Sequence, residues 1–194
     1  MVKSMFVYNA LFDRKTNEYK HNDSLRHAKH PAPVKDAKAY TMHSGGAPGA
    51  DTYWGEIASQ YGVDNQKHYY HGEKSPTNAP NANTRITEED YNDGRKEVAK
   101  AAKYNWGYQY DTMKDDRLVR NWSQVKYADA IFAIGHIANP GDPAFPNQPN
   151  DTRKAIHPMV QGGTGYAVGM AILHQKPVYV FDQEENQWFA WNGE

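Results

Sequence analysis

The sequence predicts an α/β fold: a single Rossmann-like domain over residues 1–194, with a central parallel sheet flanked by helices. Three observations predict it. Short apolar runs alternate with segments of helical periodicity, which implies parallel strands joined by right-handed crossovers. The run Asp129-Ala130-Ile131-Phe132-Ala133-Ile134-Gly135 is almost continuously apolar, the pattern of a strand buried on both faces of a parallel sheet. Two glycine-rich turns, Ser44 to Asp51 and Gln161 to Gly165, lead into helical segments, as at the ligand edge of open α/β sheets.

Met5 to Leu11 reads as a strand. The polar, His- and Lys-rich stretch that follows to residue 38, punctuated by Pro31 and Pro33, reads as an irregular N-terminal arm. Ala39 to His43 is a strand candidate that runs into the first glycine turn. A helix follows, because Ala50, Trp54, Ile57, Ala58 and Tyr61 share one face, and Gly62 stops it. Gln66 to His71 is the next strand, followed by a Pro-, Asn- and Gly-rich loop to Arg85. Thr87 before Glu88, Glu89 and Asp90 marks a capped helix with an acidic first turn, reaching Tyr104. Asp115 or Asp116 opens another helix, with the stripe Leu118, Val119, Trp122 and Val125. After the Asp129 strand, residues 136–158 carry prolines at 140, 143, 146, 149 and 158 and read as an insertion loop. Loops of that length serve as functional covers or are disordered. A helix from the second glycine turn to Leu173 and a strand from Val178 to Phe181 complete the domain.

A chain of 194 residues is the size of one ordinary domain. Its formal net charge of −1 gives no long-range attraction to nucleic acid or an anionic membrane, so a small ligand is the favoured partner and nucleic acid is not. There is no cysteine, which excludes disulfides, thiolate metal sites and a cysteine nucleophile. His21, His27 and His30 have no carboxylate partner at ligand spacing, so no metal and no cofactor are expected. No apolar run approaches the ~20 residues of a membrane-spanning helix, and the start lacks the pattern of a secretory signal. A cytoplasmic location is expected.

In the first turn Gly45, Gly46 and Gly49 allow backbone amides to approach an anion closely, and Asp51 stands either to cap the helix or to hold a ribose hydroxyl. In the second, Gly162, Gly163 and Gly165 with Thr164 precede a helix of small residues, Ala167, Gly169 and Ala171. Neither turn fits the G-x-G-x-x-G dinucleotide fingerprint or the phosphate loop ending in Gly-Lys-Ser/Thr, which disfavours an ordinary NAD enzyme or NTPase. Among aromatic residues near the turns, Tyr166 is the candidate for stacking on a nucleobase, whereas Trp54 lies on the apolar helix face and is expected in the core. His43 reads as a strand-end residue rather than a general base.

These residues resemble a known group. Ser44-Gly45-Gly46-Ala47-Pro48-Gly49-Ala50-Asp51 is similar to the S-G-G-A-x-G-A-D motif of YAcAr-type members of the SLOG superfamily. That superfamily unites the Smf/DprA DNA-processing proteins with the LOG phosphoribohydrolases, which release cytokinin bases. Arg120-Asn121, then Ala128 to Ile134, then Gly162-Gly163-Thr164-Gly165 resemble the LOG pattern R-K…S/A-D-A-F-I-A-L-P-G-G-x-G-T-x-x-E, and Arg120 precedes Asp129 by nine residues, as the family's arginine precedes its aspartate. The resemblance covers about residues 39–63 and 117–182.

The resemblance implies a ligand site of Ser44, Gly45, Gly46, Gly49, Asp51, Arg120, Asn121, Gly162, Gly163, Thr164, Gly165 and Tyr166. Arg120 supplies the bidentate phosphate contact that a guanidinium suits. The LOG glutamate falls on Gly169, the proline-rich loop has no LOG counterpart, and the G-S segment expected near residues 5–11 is absent. The expected function is therefore binding of a phosphate-bearing, nucleotide-derived molecule, such as an ADP-ribose-type or cyclic-nucleotide signal, without LOG-type cleavage. The alternatives are a nucleoside-phosphate hydrolase or transferase using Asp51 or Glu56 in place of the glutamate and, more weakly, single-stranded DNA binding. A homodimer or higher homo-oligomer fits the family.

Overall fold

The computed structural model describes residues 11–13, 18–20, 36–72, 82–109 and 116–191. It is a mixed α/β structure. The strands are β1 (Leu11–Asp13), β2 (Glu18–Lys20), β3 (Met42–Ser44), β4 (Gln66–Tyr70), β5 (Thr84–Arg85), β6 (Ile131–Gly135), β7 (Ile137–Ala138), β8 (Met159–Val160), β9 (Val178–Asp182) and β10 (Gln187–Ala190). The helices are α1 (Ala50–Gln60), α2 (Glu88–Trp106), α3 (Asp116–Val119), α4 (Asn121–Tyr127) and α5 (Gly162–Leu173). Most of the strand expected at Met5 to Leu11, together with His21, His27 and His30, lies outside the described residues.

Helix α2 organises the core. The Thr87 hydroxyl accepts the Asp90 amide at 3.0 Å, three acidic residues fill the first turn, and Gly107 closes the helix with φ 64°. Its inner face, including Gly94, Val98, Ala101, Ala102 and Asn105, packs on α4 and α5. Gly94 is required there, since a Cβ would stand 2.6 Å from the Val119 carbonyl oxygen. The helix expected from residue 115 or 116 divides at Arg120 into α3 and α4; Val119, Trp122 and Val125 of its stripe are buried and Leu118 packs against them.

The strands form two three-stranded sheets rather than one central sheet. One is ordered β3-β4-β5 and is parallel throughout; the other is ordered β10-β9-β6, with β6 parallel and β10 antiparallel to β9. The facing edges, β3 and β6, are not hydrogen-bonded to each other, and both line a cavity. That arrangement corrects the reading of β6 as a strand buried on both faces. Only Ala133 of β6 is buried, because the edge away from β9 opens on the cavity. Strand β9 alternates instead, with Val178, Val180 and Asp182 buried.

The structure differs from the sequence reading in further places. The N-terminal arm is not wholly irregular, since β1 and β2 pair antiparallel and Ala37–Ala39 forms a 3-10 turn. Residues 139–158 are a long loop, as expected, but one with local pairing: β7, just before it, pairs antiparallel with β8, just after it, Pro143 bridges Lys154, and backbone bonds join Gly141 to Ala155 and Ala144 to Arg153. Ala144 and Ala155 are buried, so this excursion contributes to the core. The strand β10 was not expected; it closes a hairpin whose turn is held by Asp182 Oδ1, which accepts the Glu184 and Glu185 amides, with Asn186 at φ 51°. Among the described residues, no helix is long and apolar enough to cross a membrane.

Candidate functional site

The cavity between the two sheets has a volume of about 900 Å³, within the range of small-molecule sites. Ser44, Asp51, Arg120, Asn121, Gly163, Thr164 and Tyr166 line it. Gly45, Gly46, Gly49, Gly162 and Gly165 do not, and Glu56 points to solvent on the outer side of α1.

The first glycine turn is folded around Asp51. Its Oδ2 accepts the amides of Gly45 at 3.1 Å and Ala47 at 3.2 Å, while Ser44 Oγ accepts the Gly46 amide at 3.2 Å. A ligand anion would have to take the place of the Asp51 carboxylate to reach the first two amides. Gly46 and Gly49 adopt φ 66° and 103°, conformations that glycine permits at little cost. Asp51→Ala is expected to leave both amides without their charged acceptor and to cost about 2 kcal/mol, read as a lower urea midpoint.

Arg120 is 8% exposed and stands against this turn. A Cβ on Gly45 would lie 2.8 Å from Arg120 Nη2 and 2.9 Å from Asp51 Oδ2, so the guanidinium and the carboxylate both crowd a position that only glycine can fill. Arg120 occupies the junction of α3 and α4, which directs it toward the cavity while the buried Val119 and Trp122 anchor either side.

The second turn divides by role. Gly163 and Thr164 are exposed to the cavity at the start of α5, where Asn121 Nδ2 approaches the Gly163 carbonyl at 3.5 Å. Gly165 is a packing residue: a Cβ would stand 2.1 Å from the Val160 carbonyl oxygen, and its own carbonyl accepts Asn105 Nδ2 at 2.8 Å. Gly162 donates to the Ala144 carbonyl at 2.9 Å with φ 70°. Gly169 is buried, and a Cβ there would lie 2.8 Å from the Asn105 amide group, so this position faces α2 and does not line the cavity.

Tyr166 is filled in on the sides expected to stack. It is 1% exposed, meets Trp106 edge-on at 4.7 Å and packs near Phe145, and its hydroxyl accepts Arg153 Nη1 at 3.0 Å. Trp54, expected in the core, is half-buried and lines the cavity with Ile57 and Ala58.

Sequence reasoning missed two features of the wall. Phe132 and Tyr179, paired across β6 and β9, stack at 5.0 Å and both line the cavity. Their alternation with buried Ala133 and Val178 was the available signal. Arg153, within the proline-rich excursion, also lines the cavity; it pairs with Asp151 and lies 4.1 Å from the Phe145 ring centroid. No local pattern marked it.

His43, on β3, lines the cavity, and His68, on β4, stands behind Ser44. His43 Nδ1 contacts the Tyr69 hydroxyl at 2.8 Å, and His68 Nδ1 contacts Ser44 Oγ at 2.6 Å. Burial lowers the pKa of both below 6.5, helped at His43 by Lys67 and opposed at His68 by Asp51. Burial also pushes the Tyr69 hydroxyl up to about 12, with Tyr127 and Asp90 adding to the effect. In the unfolded chain both histidines regain the ordinary value near 6.5, so below that pH the unfolded state binds protons first. Their contribution to stability is complete above pH 6.5 and is lost as the pH falls through the depressed folded-state values. Urea midpoints at pH 7.5 and 5.5 are expected to fall in that order, and the His43→Phe, His68→Gln double variant to flatten the difference.

No family model matches the chain, and neither does any curated protein or solved structure. The site is therefore read from its geometry and from the motifs.

Proposed function

We propose that the cavity binds a phosphate-bearing, nucleotide-derived small molecule of the ADP-ribose or cyclic-nucleotide kind, and that the chain is a Rossmann-like member of the SLOG superfamily. Arg120 carries this reading: a guanidinium at 8% exposure is maintained on a cavity wall, and a permanently charged, planar donor so placed suits a phosphate. Gly163 and Thr164 open the cavity wall at the start of α5, where unpaired amides and the helix dipole favour an anion. Trp54, Phe132 and Tyr179 supply apolar ring surface on the same walls for a base.

The ligand's N-glycosidic bond is expected to survive. The position that carries the LOG glutamate is Gly169, packed against Asn105 away from the cavity. The hydrolase reading is weaker, because the Asp51 carboxylate is engaged by two amides and Glu56 is on the outer surface. Single-stranded DNA binding is weaker still, since a net charge of −1 offers little counterion release. A cytoplasmic location and self-association accompany the superfamily reading.

The test is calorimetry with nucleoside monophosphates, ADP-ribose and cyclic ADP-ribose isomers, joined to native mass spectrometry for a co-purifying nucleotide and chromatography for released base. Micromolar binding without base release supports the reading. Release at catalytic turnover, lost in Asp51→Asn, would favour the hydrolase.

A further inference from the structure

Buried Ser44 and His68 and half-buried Gln66 form a chain of polar side chains whose hydrogen bonds have one direction. Gln66 Nε2 donates to the carbonyls of Gly55 at 2.8 Å and Val63 at 3.3 Å, and to Ser59 Oγ at 2.8 Å. Two of these partners are pure acceptors, so the amide orientation is determined and Gln66 Oε1 faces His68. Oε1 lies 3.2 Å from His68 Nε2, which must carry a hydrogen to meet it. The neutral imidazole then has its lone pair on Nδ1, 2.6 Å from Ser44 Oγ, and the serine hydroxyl donates to it. The lowered pKa of His68 keeps this neutral form at pH 7. Ser44 is 4% exposed and lines the cavity, while His68 stands behind it at 6% and Arg120 stands beside the adjoining Gly45. A hydroxyl held by an oriented imidazole, itself held by a third group, is the arrangement of an activated nucleophile.

We propose that Ser44 is a nucleophile, with His68 as its general base, that accepts the phosphoryl group of a phosphate ester bound in the cavity. This rests on the reading of the cavity as a phosphate site. In the forward step a bond forms between Ser44 Oγ and phosphorus as the bond from phosphorus to the ester oxygen breaks. The serine proton passes to His68 Nδ1, while the leaving oxygen, in line on the far side of phosphorus, takes its proton from solvent water in the cavity, which becomes hydroxide. That hydroxide then attacks the phosphoserine from the cavity side, His68 returns its proton to Ser44 Oγ as that oxygen leaves, and inorganic phosphate is released. No oxidant, metal or N-glycosidic cleavage enters this balance.

The test treats the full chain with a small dialkyl fluorophosphate, which reacts by the same attack with fluoride leaving. Intact mass and peptide sequencing are expected to show one dialkylphosphoryl adduct, on Ser44, absent from Ser44→Ala and forming about 100-fold more slowly or worse in His68→Gln. In the unaltered protein the labelling rate is expected to be level above pH 6.5 and to fall about tenfold per pH unit below the depressed pKa of His68. That profile does not depend on the folding of any variant. No adduct, an adduct on another residue, or labelling indifferent to pH overturns the proposal. ADP-ribose binding without Ser44 labelling rejects the nucleophile alone; labelling with no binding of any phosphate ligand rejects the phosphate ester as substrate.

Discussion

Arg120→Ala is expected to weaken binding of ADP-ribose, or of whichever phosphate ligand calorimetry identifies, by about tenfold to a hundredfold. Hydrogen bonds to a charged partner contribute about 1.5–3 kcal/mol, and each 1.4 kcal/mol is a factor of about ten. The loss falls on affinity because the guanidinium lines the cavity wall. Arg120→Lys retains the charge but not the planar fork, and is expected to recover only part of the affinity. An unchanged dissociation constant in Arg120→Ala, with the far-ultraviolet circular dichroism of the unaltered protein, would remove Arg120 from the site and the central support from the proposed function.

Gly165→Ala is expected to be among the most damaging single substitutions in the chain, although it adds one methyl group to a helix. The added Cβ would stand 2.1 Å from the Val160 carbonyl oxygen and 3.1 Å from Met159 Cε. The first neighbour is backbone of β8, which cannot turn aside as a flexible side chain would, so α5 must move and weaken the bond from Asn105 to the Gly165 carbonyl. Overpacking of this kind costs about 3 kcal/mol, which for a chain of this size corresponds to a fall in Tm of roughly 6–12 °C. Gly163→Ala is the control. Its nearest neighbour would be Leu118 Cδ2 at 3.8 Å, ordinary van der Waals contact, and its Tm is expected to change little. Equal stability of the two variants would contradict the packing of α5 on β8.

The sequence by itself determined the α/β class, the order of the principal strands and helices, and the start of α2, which was expected to reach Tyr104 and runs to Trp106. These depend on neighbours close along the chain: a capping hydroxyl at Thr87, periodic apolar residues, and runs such as Ile131 to Gly135. The family resemblance, not a local signal, singled out Arg120 and Asn121 beside Ser44, Asp51, Gly163 and Thr164 of the glycine turns, and the fold brings these residues to one cavity.

Only the tertiary structure decided what each residue there does. Gly163 and Gly165 look equivalent in the sequence, yet one has room for a methyl group beside Leu118 and the other faces the backbone of β8, because helical positions two apart point in different directions. The resemblance counted Asp51 among the ligand-binding residues, and its carboxylate is turned onto the amides of its own loop. Tyr166 had the chemistry for stacking on a base, and packing against Trp106 and Phe145 uses its surface. Conversely, Ser44 and His68 are 24 residues apart, and Arg153 belongs to an excursion without periodicity. Their partnerships depend on strand pairing and on packing across the cavity, interactions between distant segments that no local pattern records.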